Sequence, residues 1–317
     1  MKRLFCAILL LILLVTPLSA CKKGEATRVY TLNGTTGFGM APLIAAGDKA
    51  YAFTVEKDAL AVRTALLADD CDIAAIPTNL AGALYHATGG EIKVMALNTG
   101  SVLYLVTTGE AVTDLAELAG QTVYTPAQNP AFVFEAILKA AEITDITVDS
   151  KTYSTPEALR TAVASGLVTY AVLPEPMVTI ARNAAAGVGV TVKACLDLGR
   201  LWNAYFPENS LVQGCVVVRT AFLEEHPDRV DTFLADYKAA VTGVIADPVA
   251  AAEDIAAAGI FENKTVAADA IPRCNLIYED GEAMRTQLSA FLAAMPPSAI
   301  GGKLPDNDFY YIRTDKK

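Results

Sequence analysis

The stretch LNGTTGFGM, Leu32–Met40, combines residue types that can hold a small ligand. Glycines let the chain turn at positive φ and let backbone N–H groups approach a ligand closely, and Asn and Thr add uncharged hydrogen-bonding groups. The glycine spacing does not fit G-x-G-x-x-G, and no Lys-Ser/Thr pair follows as in a P-loop, so a nucleotide fits poorly. The alternative is a tight turn whose hydroxyl groups bind nothing. The candidate ligand contacts are Asn33, Gly34, Thr35, Thr36 and Gly37.

Polar residues also follow the other strand-like runs of the chain. Thr78 or Asn79 either contacts a ligand or caps the next helix, and Asn129 before Pro130 has the sequence of a helix cap followed by proline. A helix N-terminus at such a place offers free N–H groups and the positive end of the helix dipole, which favour an oxyanion. The candidate ligand contacts of this kind are Pro77, Thr78, Asn79, Asn98, Thr99, Gln128 and Asn129.

Three further candidates lie later in the chain. Glu175 stands between two prolines after a strand-like run, where a fixed carboxylate could accept hydrogen bonds from a ligand amine or ring N–H. Trp202 is the single tryptophan, and Asn203 follows it in a segment that returns between the two predicted halves. These two residues either form a wall for a flat ligand or pack at a hinge.

The sequence shows no catalytic or metal-binding set. Neither histidine, His86 or His226, has a partner at metal-ligand spacing, and there is no C-x-x-C motif and no nucleophile elbow. We therefore predict no catalytic residue, no metal and no cofactor. Four cysteines form either two disulfides, with Cys195 and Cys215 as one possible pair, or four buried thiols. They are Cys71, Cys195, Cys215 and Cys274.

The N-terminus has the pattern of an export signal. A basic start precedes the apolar run 4–15, which is too short to span a bilayer and leads to the small residues before Cys21. We predict a signal peptide at residues 1–20 and a tether at 21–27. The order Leu-Ser-Ala-Cys resembles the lipobox of bacterial lipoproteins, which implies that Cys21 is acylated and anchors the protein to the cell membrane, outside the cytoplasm. The alternative is an ordinary secretory signal with an incidental cysteine.

Charge excludes one class of partner. Residues 1–20 carry two of the 25 Lys and Arg side chains, so their removal leaves 23 against 35 Asp and Glu and a net charge of −12. Nucleic-acid binding requires a basic face, so we expect no nucleic-acid partner. The mean charge says little about a small ligand, because a local site can differ from the average surface.

Short β-like runs alternate with helical runs from residue 28, which predicts an α/β protein with a mixed, mostly parallel sheet in each of two lobes. A helical C-terminal return is expected to pack on the first lobe. Ligands of open parallel sheets bind beyond the carboxyl ends of the strands, where the loops named above would meet. The predicted boundaries are 28–110 plus 209–317 for the first lobe, 111–200 for the second, and 108–112 and 196–208 for the hinge.

The ordered motifs DIAAIPTNLAGALYHATGG, VTDLAELAGQTVYTP and VTYAVLPEPMVTIA make the chain resemble the solute-binding proteins of ABC importers. The branch is the one that binds sulfonates, taurine, nitrate or pyrimidine precursors of thiamine, and the resemblance covers roughly residues 28 to 240. It implies the type II periplasmic binding fold, in which two lobes close on one ligand by hinge motion. One departure is that the predicted cleft loops hold no arginine or lysine, whereas anion-binding members commonly have an anion-complementary cleft.

The resemblance implies a lipid-anchored, extracytoplasmic receptor that captures a small polar organic ligand and delivers it to an ABC permease. We expect a monomer that acts without covalent chemistry. The alternative is an enzyme of pyrimidine or cofactor-precursor metabolism on the same fold, although the cysteine-rich iron motif of the precursor synthases is absent. A third class, a surface interaction protein, would have a filled cleft.

Overall fold

The structure is a computed structural model that describes residues 26–313. The predicted signal peptide and the lipidation site at Cys21 lie outside these residues, and the predicted tether runs to Thr27, the first residue of a strand. Within 26–313, no helix is both long enough and apolar enough to cross a membrane.

Eleven strands form two separate sheets in the described part of the chain. The first sheet has the order β11-β4-β10-β3-β1-β2 and the second the order β7-β6-β8-β5-β9. The strands are β1 (Thr27–Leu32), β2 (Tyr51–Glu56), β3 (Ile73–Pro77), β4 (Ile92–Thr99), β5 (Leu103–Thr107), β6 (Thr122–Tyr124), β7 (Thr147–Asp149), β8 (Tyr170–Pro174), β9 (Lys193–Asp197), β10 (Gly214–Arg219) and β11 (Leu276–Asp280).

Helices cover these sheets and connect their strands. Several begin at a side chain that accepts a backbone N–H of the first turn, such as Asp58, Thr155 and Asp197. The helices are α1 (Thr35–Phe38), α2 (Ala41–Ala46), α3 (Ala59–Leu67), α4 (Thr78–Ala87), α5 (Asn129–Ala140), α6 (Pro156–Ala164), α7 (Met177–Ala186), α8 (Leu198–Tyr205), α9 (Thr220–Glu225), α10 (Pro227–Ala246), α11 (Pro248–Ala257), α12 (Lys264–Ala270) and α13 (Gly281–Ala294).

Both sheets are mixed, and the predicted two-lobed α/β class is confirmed. In the first sheet β1 runs parallel to β2 and β3, while β10 and β11 pair antiparallel with their neighbours. In the second sheet β6 runs parallel to β7 and β8, while β5 pairs antiparallel with β8 and β9. The antiparallel pairs thus come from strands that follow a crossing between the sheets or lie at a sheet edge.

The chain crosses between the lobes earlier than the sequence analysis placed it. β5 pairs with β8 and β9 of the second sheet, so the first crossing is 100–102 rather than 108–112. Only three residues separate β4 from β5, and strands so close in sequence are usually neighbours in one sheet. The predicted boundary at residue 110 therefore includes β5 in the first lobe. The return passes through α8 and residues 206–213, so the predicted second connection contains a helix. The sequence analysis also missed β11, an edge strand within a mostly helical region.

Buried apolar side chains form three clusters. One lies in the first lobe beneath α10 and α11, which contact α2, and another lies beneath α6 and α7 of the second lobe. The third begins in the first lobe and continues into the second through Leu198, Trp202, Leu211 and Val212. The two lobes therefore share apolar contacts at the crossings.

Candidate functional site

A cavity of about 250 Å³ lies between the lobes, at the carboxyl ends of β1, β3, β4 and β8. This is where ligands bind in open α/β sheets. Both lobes and both crossings contribute to its walls. The lining residues are Asn33, Gly34, Thr35, Thr36, Pro77 and Thr99 from the first lobe, Val102 and Gln213 from the crossings, and Asn129, Pro156, Glu157, Pro174, Glu175, Pro176 and Met177 from the second lobe.

The glycine-rich loop reaches the cavity with its first half only. Gly34 has a φ of 79°, a left-handed conformation that favours glycine, and it turns the chain from β1 into α1. Gly37 does not line the cavity. A Cβ atom there would collide with the carbonyl oxygen of Leu32 and press on Ile260, so this glycine serves the close packing of the turn.

Helices of the second lobe begin at the cavity. Asn129 opens α5 and Pro156 opens α6, and both line the cavity. The first N–H groups of a helix have no partner within it and carry the positive end of the dipole. Asn129 is not the predicted cap, because Gln128 takes the flanking position with a φ of 66° and makes no side-chain cap bond.

Asn129 carries a polar atom that has no partner. The residue is 8 % exposed, and its Oδ1 has no hydrogen bond within the described part of the chain. An unsatisfied buried acceptor costs about 1–3 kcal/mol. A ligand N–H or O–H that reached this atom would remove that penalty, so among the cavity-lining residues Asn129 is the one with an unmet hydrogen-bonding need.

Glu175 lines the cavity, but its carboxylate is already bonded. Its side chain is fully buried, and it accepts hydrogen bonds from the backbone N of Thr179 at 3.1 Å and the Oγ1 of Thr179 at 3.0 Å. A third bond comes from Nε of Arg273 at 2.8 Å. Contrary to the sequence-based expectation, this carboxylate is not available to a ligand. Glu157, exposed at the rim, is the carboxylate that solvent reaches.

Arg273, which the sequence analysis missed, stands beside the cavity. It ends a 3₁₀ turn at Ile271–Arg273, between α12 and β11, and it belongs to the first lobe. Burial opposes its charged form, but the hydrogen bonds and charges of Glu175 and Asp269 outweigh burial and raise its pKa. No local pattern in the sequence connects Arg273 with Glu175, from which it is separated by 98 positions.

Several predicted contacts hold the loops in place instead of lining the cavity. The hydroxyl of Thr78 donates to the carbonyl of Val212 at 2.8 Å. Asn98 donates to the carbonyl of Thr36 at 3.3 Å and accepts from the hydroxyl of Thr99 at 2.9 Å. Asn79 is buried and does not line the cavity. Neither Thr78 nor Asn79 caps α4, whose preceding residue, Pro77, makes no side-chain cap bond.

Trp202 is fully buried and packs at the junction of the lobes. Its ring lies 4.3 Å from that of Phe206 and 5.5 Å from that of Phe291 in α13, measured between centroids. Of the two readings left open by the sequence, hinge packing is the one observed. Asn203 is exposed and lines a different cavity.

That second cavity, of about 470 Å³, is lined by residues of both sheets, including the end of β9 and part of β11. Asp197, Arg200, Asn203, Arg273 and Asn275 are among its walls. It is larger than the first cavity, but it lies along the crossing 100–101 and includes neither the glycine-rich loop nor the residues at the ends of β3 and β8. We take the first cavity as the candidate site because the carboxyl ends of both sheets converge there.

The other reactive groups lie away from the candidate site or are buried. His86 bonds through Nε2 to the carbonyl of Lys303 on the first lobe. The four cysteines of the described chain are free thiols, so the disulfide alternative is not observed. Burial raises the pKa of both Cys71 and Cys274 to about 12, which keeps these thiols protonated. Between residues 26 and 313, no group of His, Cys, Asp and Glu could hold a metal ion.

No protein-family profile matches the sequence, and no curated protein matches it. Solved structures share its architecture. An ABC transporter from Parabacteroides distasonis has a TM-score of 0.76 at 22 % identity, covering 92 % of this chain and 100 % of that chain. The zinc-bound ligand-binding component of an ABC-type import system from Staphylococcus aureus has a TM-score of 0.67 at 15 % identity. The match covers 91 % of this chain and 97 % of that chain. The periplasmic aliphatic sulphonate binding protein SsuA from Escherichia coli has a TM-score of 0.67 at 14 % identity. The match covers 93 % of this chain and 94 % of that chain.

These likenesses establish the fold, which is the two-lobed fold of periplasmic binding proteins and the one that the sequence resemblance implied. The solved structures named above include the ligand-binding component of an import system and a periplasmic binding protein. At such identities a shared fold does not carry over a ligand or an activity.

Proposed function

We propose that this protein is the solute-binding component of an ABC importer, attached outside the cytoplasm through Cys21. It captures a small polar organic ligand between its lobes and delivers it to the permease. The observation that carries the proposal is the interlobe cavity with the buried, unpartnered Oδ1 of Asn129 in its wall. The transport roles named for the structural neighbours support the same class of function.

The cavity favours a small ligand that carries a hydrogen-bond donor. Its volume of about 250 Å³ is below the roughly 300–1,000 Å³ usual for ligand pockets, which suits a small solute. The Oδ1 of Asn129 can accept from a donor, and the hydroxyl and amide groups of the strand-end loops suit an uncharged polar surface. The starts of α5 and α6 complement an oxygen-rich group such as a sulfonate or carboxylate.

Capture follows from closure. Only the closed arrangement gives a ligand contacts with both lobes, so a ligand shifts the population toward that state in proportion to its preference for it. The permease then recognises the closed shape. This function needs no covalent step, in keeping with cysteine thiols that stay protonated at Cys71 and Cys274.

The test is a thermal-shift screen followed by calorimetry, with taurine, aliphatic sulfonates, nitrate and aminopyrimidines. For the ligand that binds, Asn129→Ala should weaken affinity by about 5- to 150-fold, the range that corresponds to 1–3 kcal/mol. Asn203→Ala is the matched control, because Asn203 lines the second cavity, and it should bind as the wild type does.

Equal affinities in Asn129→Ala and the wild type would contradict the proposed site. The enzyme alternative is tested in the same mixtures by following each compound by NMR. Conversion of any compound by the wild type, lost in Asn129→Ala, would contradict the receptor function itself.

A further inference from the structure

Polar side chains join the two lobes on one side of the cavity, and we call this group the latch. Thr35 and Arg273 belong to the first lobe, and Glu175 and Thr179 belong to the second. The hydroxyl of Thr35 donates to the backbone oxygen of Glu175 at 2.8 Å. Arg273 donates through Nε to the Glu175 carboxylate at 2.8 Å and through Nη2 to the hydroxyl of Thr179 at 2.7 Å. All these bonds cross from lobe to lobe.

The Glu175 carboxylate is enclosed in the closed arrangement. It has no exposed side-chain surface, whereas the Arg273 side chain is 34 % exposed. The bonds from Thr179 arise within the second lobe and would survive opening. Arg273 is the cation within hydrogen-bonding distance of Glu175 in the described chain, and it comes from the opposite lobe.

Because Arg273 and Glu175 come from different lobes, their ion pair affects the closed state and not the open state. When the lobes separate, water replaces Arg273 at the carboxylate, so the open state does not depend on the pair. A closed state without Arg273 would leave a buried negative charge uncompensated, which is strongly unfavourable. Arg273 therefore favours the closed state selectively, and its removal while Glu175 stays charged favours opening.

We propose that Arg273 is a positioning residue that holds the lobes closed through Glu175 before any ligand binds, and so sets the affinity of the cavity. The consequence for affinity rests on the proposed function, because it presumes that the closed state is the one that binds ligand. The apparent dissociation constant equals the intrinsic constant divided by the population of the binding-competent state. The consequence for closure holds without any ligand.

The first test is small-angle X-ray scattering of the ligand-free full chain in detergent. Arg273→Met should increase the radius of gyration relative to the wild type. Adding Glu175→Gln should restore it, because a neutral amide needs no cation when it is buried. Arg200→Met is the matched control, since the Arg200 side chain is 90 % exposed and, within residues 26–313, makes its ion pair with Asp197, at 3.9 Å. An unchanged radius in Arg273→Met, or no restoration in the double variant, would overturn the proposal.

The second test distinguishes opening from unfolding by alkylation and mass spectrometry. Cys274 is fully buried, and its thiol lies beside Thr35 in the latch, whereas Cys215 is fully buried within β10. In Arg273→Met we expect Cys274 to react about 10- to 100-fold faster while Cys215 is unchanged. An equal acceleration at both cysteines would indicate loss of the fold and would overturn the latch, as would no acceleration at Cys274.

Neither test needs a ligand, so the proposed function and the latch can fail separately. If the ligand screen finds no binder but Arg273→Met opens the protein and Glu175→Gln closes it again, the latch stands. If a ligand is found, Arg273→Met should weaken its binding by the same factor by which the closed population falls.

Discussion

Two regions join the lobes of this protein, and they use different interactions. At the crossings, Trp202, Phe206 and Phe291 form an apolar joint with ring centroids 4.3 and 5.5 Å apart. On the side of the cavity, the latch joins the lobes through hydrogen bonds and one ion pair. Water can replace polar bonds when the lobes part, but it cannot replace apolar packing. The joint is therefore suited to be a permanent pivot and the latch to be the contact that opens.

Removal of the pivot should have the largest effect of any single change. Trp202 is fully buried, and its Nε1 has no hydrogen-bond partner within residues 26–313, so packing alone holds the indole. Trp202→Ala should lower the free energy of unfolding by about 3–5 kcal/mol, measured by urea denaturation.

Tyr205→Ala is the control for that change. Tyr205 lies in the same helix, is 40 % exposed and should alter stability by less than about 0.5 kcal/mol. The opposing outcome is a Trp202→Ala protein with an unchanged unfolding midpoint and a larger radius of gyration. The apolar joint would then separate when the lobes open, and it would not differ from the latch in this respect.

A smaller effect is expected from one hydrogen bond of the latch. Thr35→Val removes the hydroxyl that donates to the Glu175 backbone oxygen, a loss of about 1 kcal/mol that acts on the closed state alone. The closed-to-open ratio should fall by about fivefold, seen as faster alkylation of Cys274, with little change in the unfolding midpoint.

Thr35→Ser keeps the hydroxyl and should behave as the wild type. Thr64→Val removes a hydroxyl that bonds within its own helix, to the carbonyl of Leu60, and should leave closure unchanged. A loss of global stability in Thr35→Val equal to its effect on closure would show that the bond supports the first lobe and not the contact between lobes.

Sequence reasoning could place at the cavity those residues whose position local rules determine. Asn33, Thr35 and Asn129 follow strands, and the carboxyl ends of strands meet at one edge of a sheet, so their position could be predicted without knowing which strands pair. The two-lobed fold followed from the alternation of strands and helices in the same way.

The rest depended on pairings between distant parts of the chain. Nothing near Glu175 in the sequence shows that Arg273 donates a hydrogen bond to its carboxylate. The burial of Trp202 depends on α13, almost ninety positions further along the chain. β5 was placed in the wrong lobe because strand length and composition do not reveal the sheet to which a strand belongs.

The smallest expected effect is that of pH on the latch. The hydroxyl of Tyr104, in the second lobe, lies 3.4 Å from the carbonyl oxygen of Arg273. Burial, followed by the charges of Asp197 and Glu175, raises the pKa of Tyr104 to about 12, from about 10 for an unperturbed tyrosine. The raised pKa means that the neutral form is favoured in this arrangement, and we expect opening of the lobes to expose the phenol and return its pKa toward 10. Its stabilisation is complete below about pH 10 and is lost as the pH rises from 10 toward 12.

We therefore expect the radius of gyration of the wild type to increase over this pH range more than that of Tyr104→Phe, which has no phenol to ionise. The two proteins differ only at position 104, so the difference between the two curves isolates Tyr104. Tyr205→Phe, with an exposed ring outside the latch, should follow the wild type. Coincident curves for Tyr104→Phe and the wild type would place Tyr104 outside the contact that opens. The closure by Thr35, Glu175, Thr179 and Arg273 would then proceed without a contribution from Tyr104.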